Sequence, residues 1–470
     1  MSDSPVVTAE ADLYAVHPER VIDRAVAHAE WFVAEYLTVD GTDEGRAALT
    51  ALLPAGVPAW GQDCSPGRAS AELDANQVRA GIYNTGALFY ESADGRHRHY
   101  EVPAGSGVRA IFAAQLWVGG MADGALRTAA ATYAHHGADF EFFPGPLDAT
   151  GAPPADCTVH DRLYRVGRAD VEAYEQTGTA TADLLAWPAA LGAPVVDGDG
   201  VAGNYDLAAG DRPELVGDQA VWWVMNDAAG PHRTTESAPI GLEVQALAYA
   251  YAGGTSPLPH TTFYRYRLAY RPAQPVPLEE TYVGLWLDPD LGYFGDDFIG
   301  SDPSRNLGFV YNGDVYDEAT RTETGAVMLP GYADRPPAMG VALLQGPRIG
   351  GANGEPGARL GMTTFMEPGR SLNGPGGIPV YAKSEEFYDY LRARWLFGVP
   401  LTYGGDGYDQ ESTDSTRFIY PVDPPFYWSE DNVDGTSRRN LPGDRRMLIA
   451  TGPFTMQPGE TQEIVFAIVW

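Results

Sequence analysis

Apolar residues in this chain recur with two different periods. Val21, Ile22, Ala25, Val26, Ala29, Phe32, Val33, Tyr36 and Leu37 fall at helical spacing behind Pro18, which predicts one amphipathic helix. Glu44 to Leu53 predicts a second, shorter helix stopped by Pro54. Beyond about residue 60 the pattern changes to short alternating runs separated by glycine and proline, the grammar of a β-rich protein. The clearest run is Thr262 to Arg271. There Tyr264, Tyr266, Leu268 and Tyr270 share one face, and Phe263, Arg265, Arg267 and Ala269 share the other.

Leu242 to Tyr251 precedes that run and Thr281 to Leu287 follows it, with Gly253-Gly254 and Pro272 to Pro277 breaking the chain between them. The three together predict a meander. Later strands are expected at Leu307 to Tyr311, Met339 to Leu344, Leu360 to Phe365, Arg446 to Ala450 and Glu463 to Val469, the last two closing a sandwich. Ser384 to Leu396 predicts an internal helix with Ser384 as N-cap. The glycine-rich tract from Gly350 to Gly377 predicts a long surface loop, and no fixed-period repeat is present. The expected fold is mainly β: a large antiparallel β-sandwich-like body with long Gly/Pro/Asp-rich loops and a short N-terminal helical segment. Its divisions are residues 1–60 (helical), 61–235 (β-rich, with an acidic loop) and 236–470 (sandwich-like), the last two read as separate or continuous.

Charge narrows the partners. Across 470 residues the formal net charge is −32, which opposes sequence-independent nucleic-acid binding and attraction to anionic membranes. Lys383 is the sole lysine. Such an acidic, arginine-based surface suits a GC-rich genome or a salty habitat. Cys64 and Cys157 are too few and too distant for a zinc motif; they form either one long-range disulfide or two separate buried thiols. The first thirty residues hold no apolar h-region, and no run is long enough to cross a bilayer. The chain is therefore expected to be cytoplasmic or a piece without its export peptide.

The strongest chemical signal is Asp197-Gly198-Asp199-Gly200, continuing to Asp206 and followed by Asp211. Carboxylates interleaved with glycine supply the hard oxygens and the pliable backbone that Ca2+ requires. Asp197, Asp199, Asp206 and Asp211 are the expected ligands; the competing reading is a set of turns in which aspartates bond their own backbone. The same stretch matches GxGxxG through Gly198, Gly200 and Gly203, but no helix follows to receive a pyrophosphate. A second acidic group, Asp288, Asp290 and Asp296 with Asp297 and Asp302, predicts another cation site against the alternative of a solvated loop. The histidines show no HExxH spacing, and no GxSxG or P-loop occurs. Glu385 and Glu386 are expected to face solvent on their helix. Trp222, Trp223, Trp286, Trp395 and Trp428 read as core, with a sugar-stacking face as the alternative.

Several phrases also resemble a known group of proteins. Ile82-Tyr83-Asn84-Thr85-Gly86, Tyr100-Glu101-Val102-Pro103-Ala104-Gly105-Ser106-Gly107, Leu116-Trp117-Val118-Gly119-Gly120, Gly210-Asp211-Arg212-Pro213, Gly443-Asp444-Arg445-Arg446 and Thr451-Gly452-Pro453-Phe454 are similar to segments of large, mostly uncharacterised surface proteins of Bacteroidetes-type bacteria. The likeness spans roughly residues 75–470. It implies export by the type IX secretion system, although the sorting domain those proteins carry is not seen here; it brings no catalytic residues and no ligand. The resulting expectation is a non-enzymatic extracellular or cell-surface protein with structural Ca2+ loops, serving adhesion or surface assembly. Its partners would be surface glycans or other surface proteins. The alternative is a secreted carbohydrate-binding or carbohydrate-active protein.

Overall fold

Runs rich in valine, isoleucine and aromatic residues build ten principal strands. They are β1 (Arg109–Ala122), β2 (Gln219–Asn226), β3 (Leu242–Ala250), β4 (Thr261–Tyr270), β5 (Leu278–Pro289), β6 (Asp297–Asp302), β7 (Leu307–Asn312), β8 (Ala338–Gln345), β9 (Met447–Met456) and β10 (Thr461–Val469). The structure is a computed structural model and describes residues 64–90, 99–133, 140–254, 257–322, 324–350, 357–369, 382–409 and 411–470. The expected helices before residue 60, together with His97, His135 and His136, lie outside the described residues.

The protein is mainly β, with two nine-stranded antiparallel sheets. In the first, β5 lies between β1 and β9; Ser70–Leu73, Arg79–Tyr83 and Ala87–Leu88 extend past β1, and Thr364–Met366 extends past β9. The second runs β6-β7-β8-β10-β4-β3-β2 and ends on Phe143–Pro144. Both sheets feed one hydrophobic core, in which Leu116, Leu285 and Ile449 of the first join Tyr264, Leu268, Ile464 and Phe466 of the second. Phe89 meets Tyr264 edge-on at 5.9 Å. Strands from both sides of residue 235 share each sheet, since β1 pairs with β5 and β2 with β3.

The meander is corrected. β3 and β4 do pair, Leu242 opposite Tyr270 and Ala250 opposite Thr262. The next strand, β5, does not join β4 but enters the other sheet, and β10 takes the place beside β4 instead. The physical reason is that β5 is buried on both faces from Thr281 to Pro289, and only a central strand covered on its outer side can be so. The cover is helix α3 (Ser384–Leu391), after α1 (Arg168–Thr177) and α2 (Ala182–Leu185) in chain order. Glycines admit α3: a Cβ on Gly119 would lie 2.8 Å from the Tyr388 ring, and one on Gly284 would lie 3.0 Å from Leu391. Trp117 packs edge-on against Phe387 at 4.8 Å.

Other expectations also change. α3 ends at Leu391, short of Leu396, because Ala393 adopts a left-handed φ of 61°. Its N-cap is Lys383, whose N–H donates to Glu386, while the Ser384 hydroxyl donates to the Thr235 carbonyl. Glu386 is accordingly buried rather than solvent-facing. Of Leu360 to Phe365 only the end pairs in the sheet, Phe365 opposite Ile449. Gly452-Pro453 does not stop β9, which continues through it to Met456. All five tryptophans of the proposed sugar face are buried, Trp428 completely, so none offers a ring to solvent. Cys64 and Cys157 are joined as a disulfide. Among the described residues no helix is long and apolar enough to cross a membrane, which says nothing of a β-barrel.

Candidate cation-binding sites

The Asp197 loop is closed at its base by a short ladder in which Val195 and Val196 pair with Pro213 and Arg212. Within it Gly198 passes so close to Gly210 that a Cβ would lie 2.3 Å from the Gly210 carbonyl oxygen. Gly200 adopts φ of 80° and Gly203 of 84°, the left-handed turns that glycine allows. This folding brings carboxylate oxygens of Asp197, Asp199 and Asp211 within 4.8 Å of one another. That spacing suits a shell of oxygens 2.3–2.6 Å from a calcium ion. Asp206 stands apart from the triad. Its carboxylate accepts from the Ala208 and Ala209 N–H groups, while its own N–H donates to Asp211 at 2.7 Å.

The triad is also held by turns. Asp197 Oδ1 accepts from the Asp199 and Gly200 N–H groups at 3.1 and 2.6 Å, and Asp199 accepts from Val201 N–H and from the Asn204 side chain. Asp211 accepts from Gly198 N–H at 2.9 Å. Hydrogen bonds from the Asp206 and Gly198 N–H groups hold the Asp211 carboxyl below its ordinary pKa, so it is ionised and ready for a cation.

The second acidic group divides into two. Asp288 and Asp290, at the end of β5, meet Asp444 with carboxylate oxygens within 4.8 Å of one another. Bases already occupy this cluster. Arg446 pairs with Asp288 at 3.2 Å and with Asp444 at 2.7 Å, Arg109 pairs with Asp290 at 2.5 Å, and the Tyr133 hydroxyl donates to Asp288 at 2.7 Å. Burial raises Asp288 to about 8 and Asp290 to about 6, against the pull of those guanidinium groups. Asp296 does not join them. It lies with Asp297 at the start of β6, where the Asn312 side chain donates to it at 2.9 Å. Asp302 caps the turn after β6 through Arg305 N–H.

Two further constellations give no sequence signal at all. His232 is buried with its Nδ1 2.8 Å from the Thr128 carbonyl oxygen and its Nε2 2.8 Å from that of Asp227. Carbonyl oxygens only accept, so both ring nitrogens donate and the imidazole is protonated. Burial alone would lower its pKa, but the flanking Glu141 and Asp227 carboxylates raise it. Glu430 and Arg445 form the other, a buried pair at 2.8 Å. His232 ties its loop to Thr128, and Glu430 reaches β6 by accepting from Ile299 N–H at 2.8 Å. A cleft of about 810 Å3 is lined by Tyr90, His99, Phe112, Arg79, Glu101 and Arg109, among others. In it Tyr90 stacks on Phe112 at 4.6 Å, and the Arg109 guanidinium lies 4.8 Å from the Phe112 ring. A scan against known protein families and a search of curated proteins both find no match to this chain.

Proposed function

We propose that the protein is a non-enzymatic extracellular or cell-surface β protein whose acidic loops take up Ca2+ as a structural ion, and that it works in adhesion or surface assembly. The observation carrying this reading is the Asp197–Asp199–Asp211 triad at the mouth of a ladder-closed loop. The Cys64–Cys157 disulfide supports an oxidising compartment. So does the resemblance to exported surface proteins. The net charge of −32 favours a cationic ligand over an anionic one.

The test is a thermal melt of EDTA-treated protein titrated with Ca2+ and with Mg2+. Free ligand at about a hundred times its Kd stabilises the fold by about 2.7 kcal/mol, so a calcium-specific rise in Tm is expected, reduced in Asp199→Asn. Identical melts with and without Ca2+ would reduce the loop to ordinary Asx turns.

The cleft beside Phe112 favours a second reading, a secreted carbohydrate-binding or carbohydrate-active protein, because its rings alternate with charged groups able to bond hydroxyls. Binding to a polysaccharide panel, lost in Tyr90→Ala, would support it. A panel without a single binder removes it.

A further inference from the structure

Buried acids in this molecule mostly face a base. Glu101 meets Arg79, Glu243 meets Arg271, Asp288 meets Arg446, Asp290 meets Arg109, and Asp389 meets Arg392. Glu141 and Asp227 share His232, and Glu367 and Glu430 share Arg445. Three aspartates at one place depart from this rule. Asp296, Asp297 and Asp317 are 7%, 0% and 1% exposed, and among the described residues no basic side chain pairs with any of them. Asp296 Oδ1 and Asp297 Oδ1, both buried, receive no hydrogen bond.

The backbone brings the three together. Asp296 and Asp297 end the turn that runs from Asp290 into β6, and Asp317 lies just beyond β7. Leu291 N–H donates to Asp297 Oδ2 at 3.1 Å, Tyr293 N–H donates to Asp317 Oδ1 at 2.7 Å, and Tyr332 N–H donates to Asp317 Oδ2. Gly313 N–H donates to the Asp296 carbonyl oxygen. Gly292 is required at this place, since a Cβ there would lie 1.8 Å from Asp317 Oδ2. Burial first, then neighbouring acids, raises the pKa of all three: Asp317, Glu318 and Asp314 act on Asp296, the carboxylates of Asp296, Asp290 and Asp317 act on Asp297, and Glu318 and Asp314 act on Asp317. A buried carboxylate without a partner costs several kcal/mol unless it is protonated or meets a cation.

We infer that Asp296, Asp297 and Asp317 form a Ca2+ site, distinct from the Asp197 loop, that clamps the turn before β6 onto the segment after β7. The Asp288 cluster is the poorer host, because two guanidinium groups already pair with its carboxyl groups. Oxygens of the three aspartates are not gathered within the 4.8 Å seen in the other two triads, so binding draws the turn and the segment together. Ca2+ tolerates such an adaptable shell and completes it with water and backbone carbonyls, whereas Mg2+ demands a near-ideal octahedron. Asp317 also lines a cleft of about 660 Å3 with Tyr293, Phe294 and Tyr316, which gives the ion an entry path.

The inference deepens the calcium reading but rests on other residues, so each can fail alone. Bound Ca2+ is counted by equilibrium dialysis on the wild-type chain and on Asp297→Asn, Asp317→Asn and Asp199→Asn, alongside melts in EDTA and in Ca2+. D297N and D317N should each bind one ion fewer than wild type, while D199N keeps that ion. Removing an unpaired buried charge should leave D297N at or above the wild-type Tm in EDTA, and below it in Ca2+. The site falls if the wild type binds no Ca2+ in the millimolar range, or if D297N and D317N retain the full count. Should D297N not fold, D317N and the wild-type count still decide. Loss of an ion in D199N alone keeps the loop and rejects this site.

Discussion

The Cys64–Cys157 bridge closes a sequence separation of 93 residues. Cys157 is 1% exposed and packs with Phe143 and Ala229 beside the edge of the second sheet. Replacing both cysteines by alanine leaves the native contacts nearly intact but frees the unfolded chain. For a loop of this length the chain-entropy relation gives about 15.6 cal/mol/K, or about 4.6 kcal/mol at 25 °C, and measured bridges deliver about 2–5 kcal/mol. The assay is urea denaturation followed by tryptophan fluorescence, for wild type with and without reductant and for the double variant. Reductant should move the wild-type midpoint down onto that of the double variant, with a steeper slope because the unfolded chain without its bridge exposes more surface. A shift worth less than about 1 kcal/mol, or free thiols detected in native protein before reduction, would refute the reasoning.

Four further outcomes follow from the buried and turn residues. His232→Ala leaves Glu141 and Asp227 buried without their cation and should cost about 3–5 kcal/mol in urea denaturation. Because the folded pKa of His232 is raised, its contribution is complete below the ordinary histidine value and is lost as pH rises through the folded one; a wild-type minus His232→Gln difference in stability across pH measures it. Asp434 accepts from Thr436 N–H at 2.9 Å and is held at about 2, so its stabilisation exists above the ordinary aspartate value and disappears as pH falls through about 2, a titration that carboxylate NMR shifts will show. Trp428→Ala should cost about 3–5 kcal/mol as a large-to-small core change, read as a lower urea midpoint, without weakening any polysaccharide binding in protein that remains folded.

Local pattern made the strands legible. The alternation from Thr262 to Arg271 appears as β4 within a residue at each end, and Tyr264, Tyr266, Leu268 and Tyr270 are all buried. Sheet membership was not legible, because nothing in Thr281 to Leu287 records that α3, more than ninety residues later, covers its outer face. The same distinction governs the sites. Asp197, Asp199 and Asp211 lie within one loop, so spacing alone could find them, whereas Asp444 reaches Asp288 only through the pairing of β5 with β9. Asp317 escaped notice because a single aspartate after a strand carries no pattern, and His232 because its partners come from separate segments. Trp428 was legible as core rather than as a sugar-stacking face, and Tyr403 and Tyr420 close around it.

The placement of β9 and β10 bears on how the molecule is made. β9 fills the gap between β5 and Thr364–Met366 in one sheet, and β10 fills the gap between β4 and β8 in the other. A chain emerging from its N-terminus therefore cannot complete either sheet until Met447 to Val469 has emerged. Until then β4, β5 and β8 each present an unpaired hydrogen-bonding edge, the type of surface on which β chains associate with one another. Closure depends on strand pairings distant in sequence, such as Thr261 with Val469 and Leu278 with Met456, a topology that folds slowly. β9 and β10 act as a lock, and a chain cut before Met447 would be an open template rather than a smaller version of the same fold.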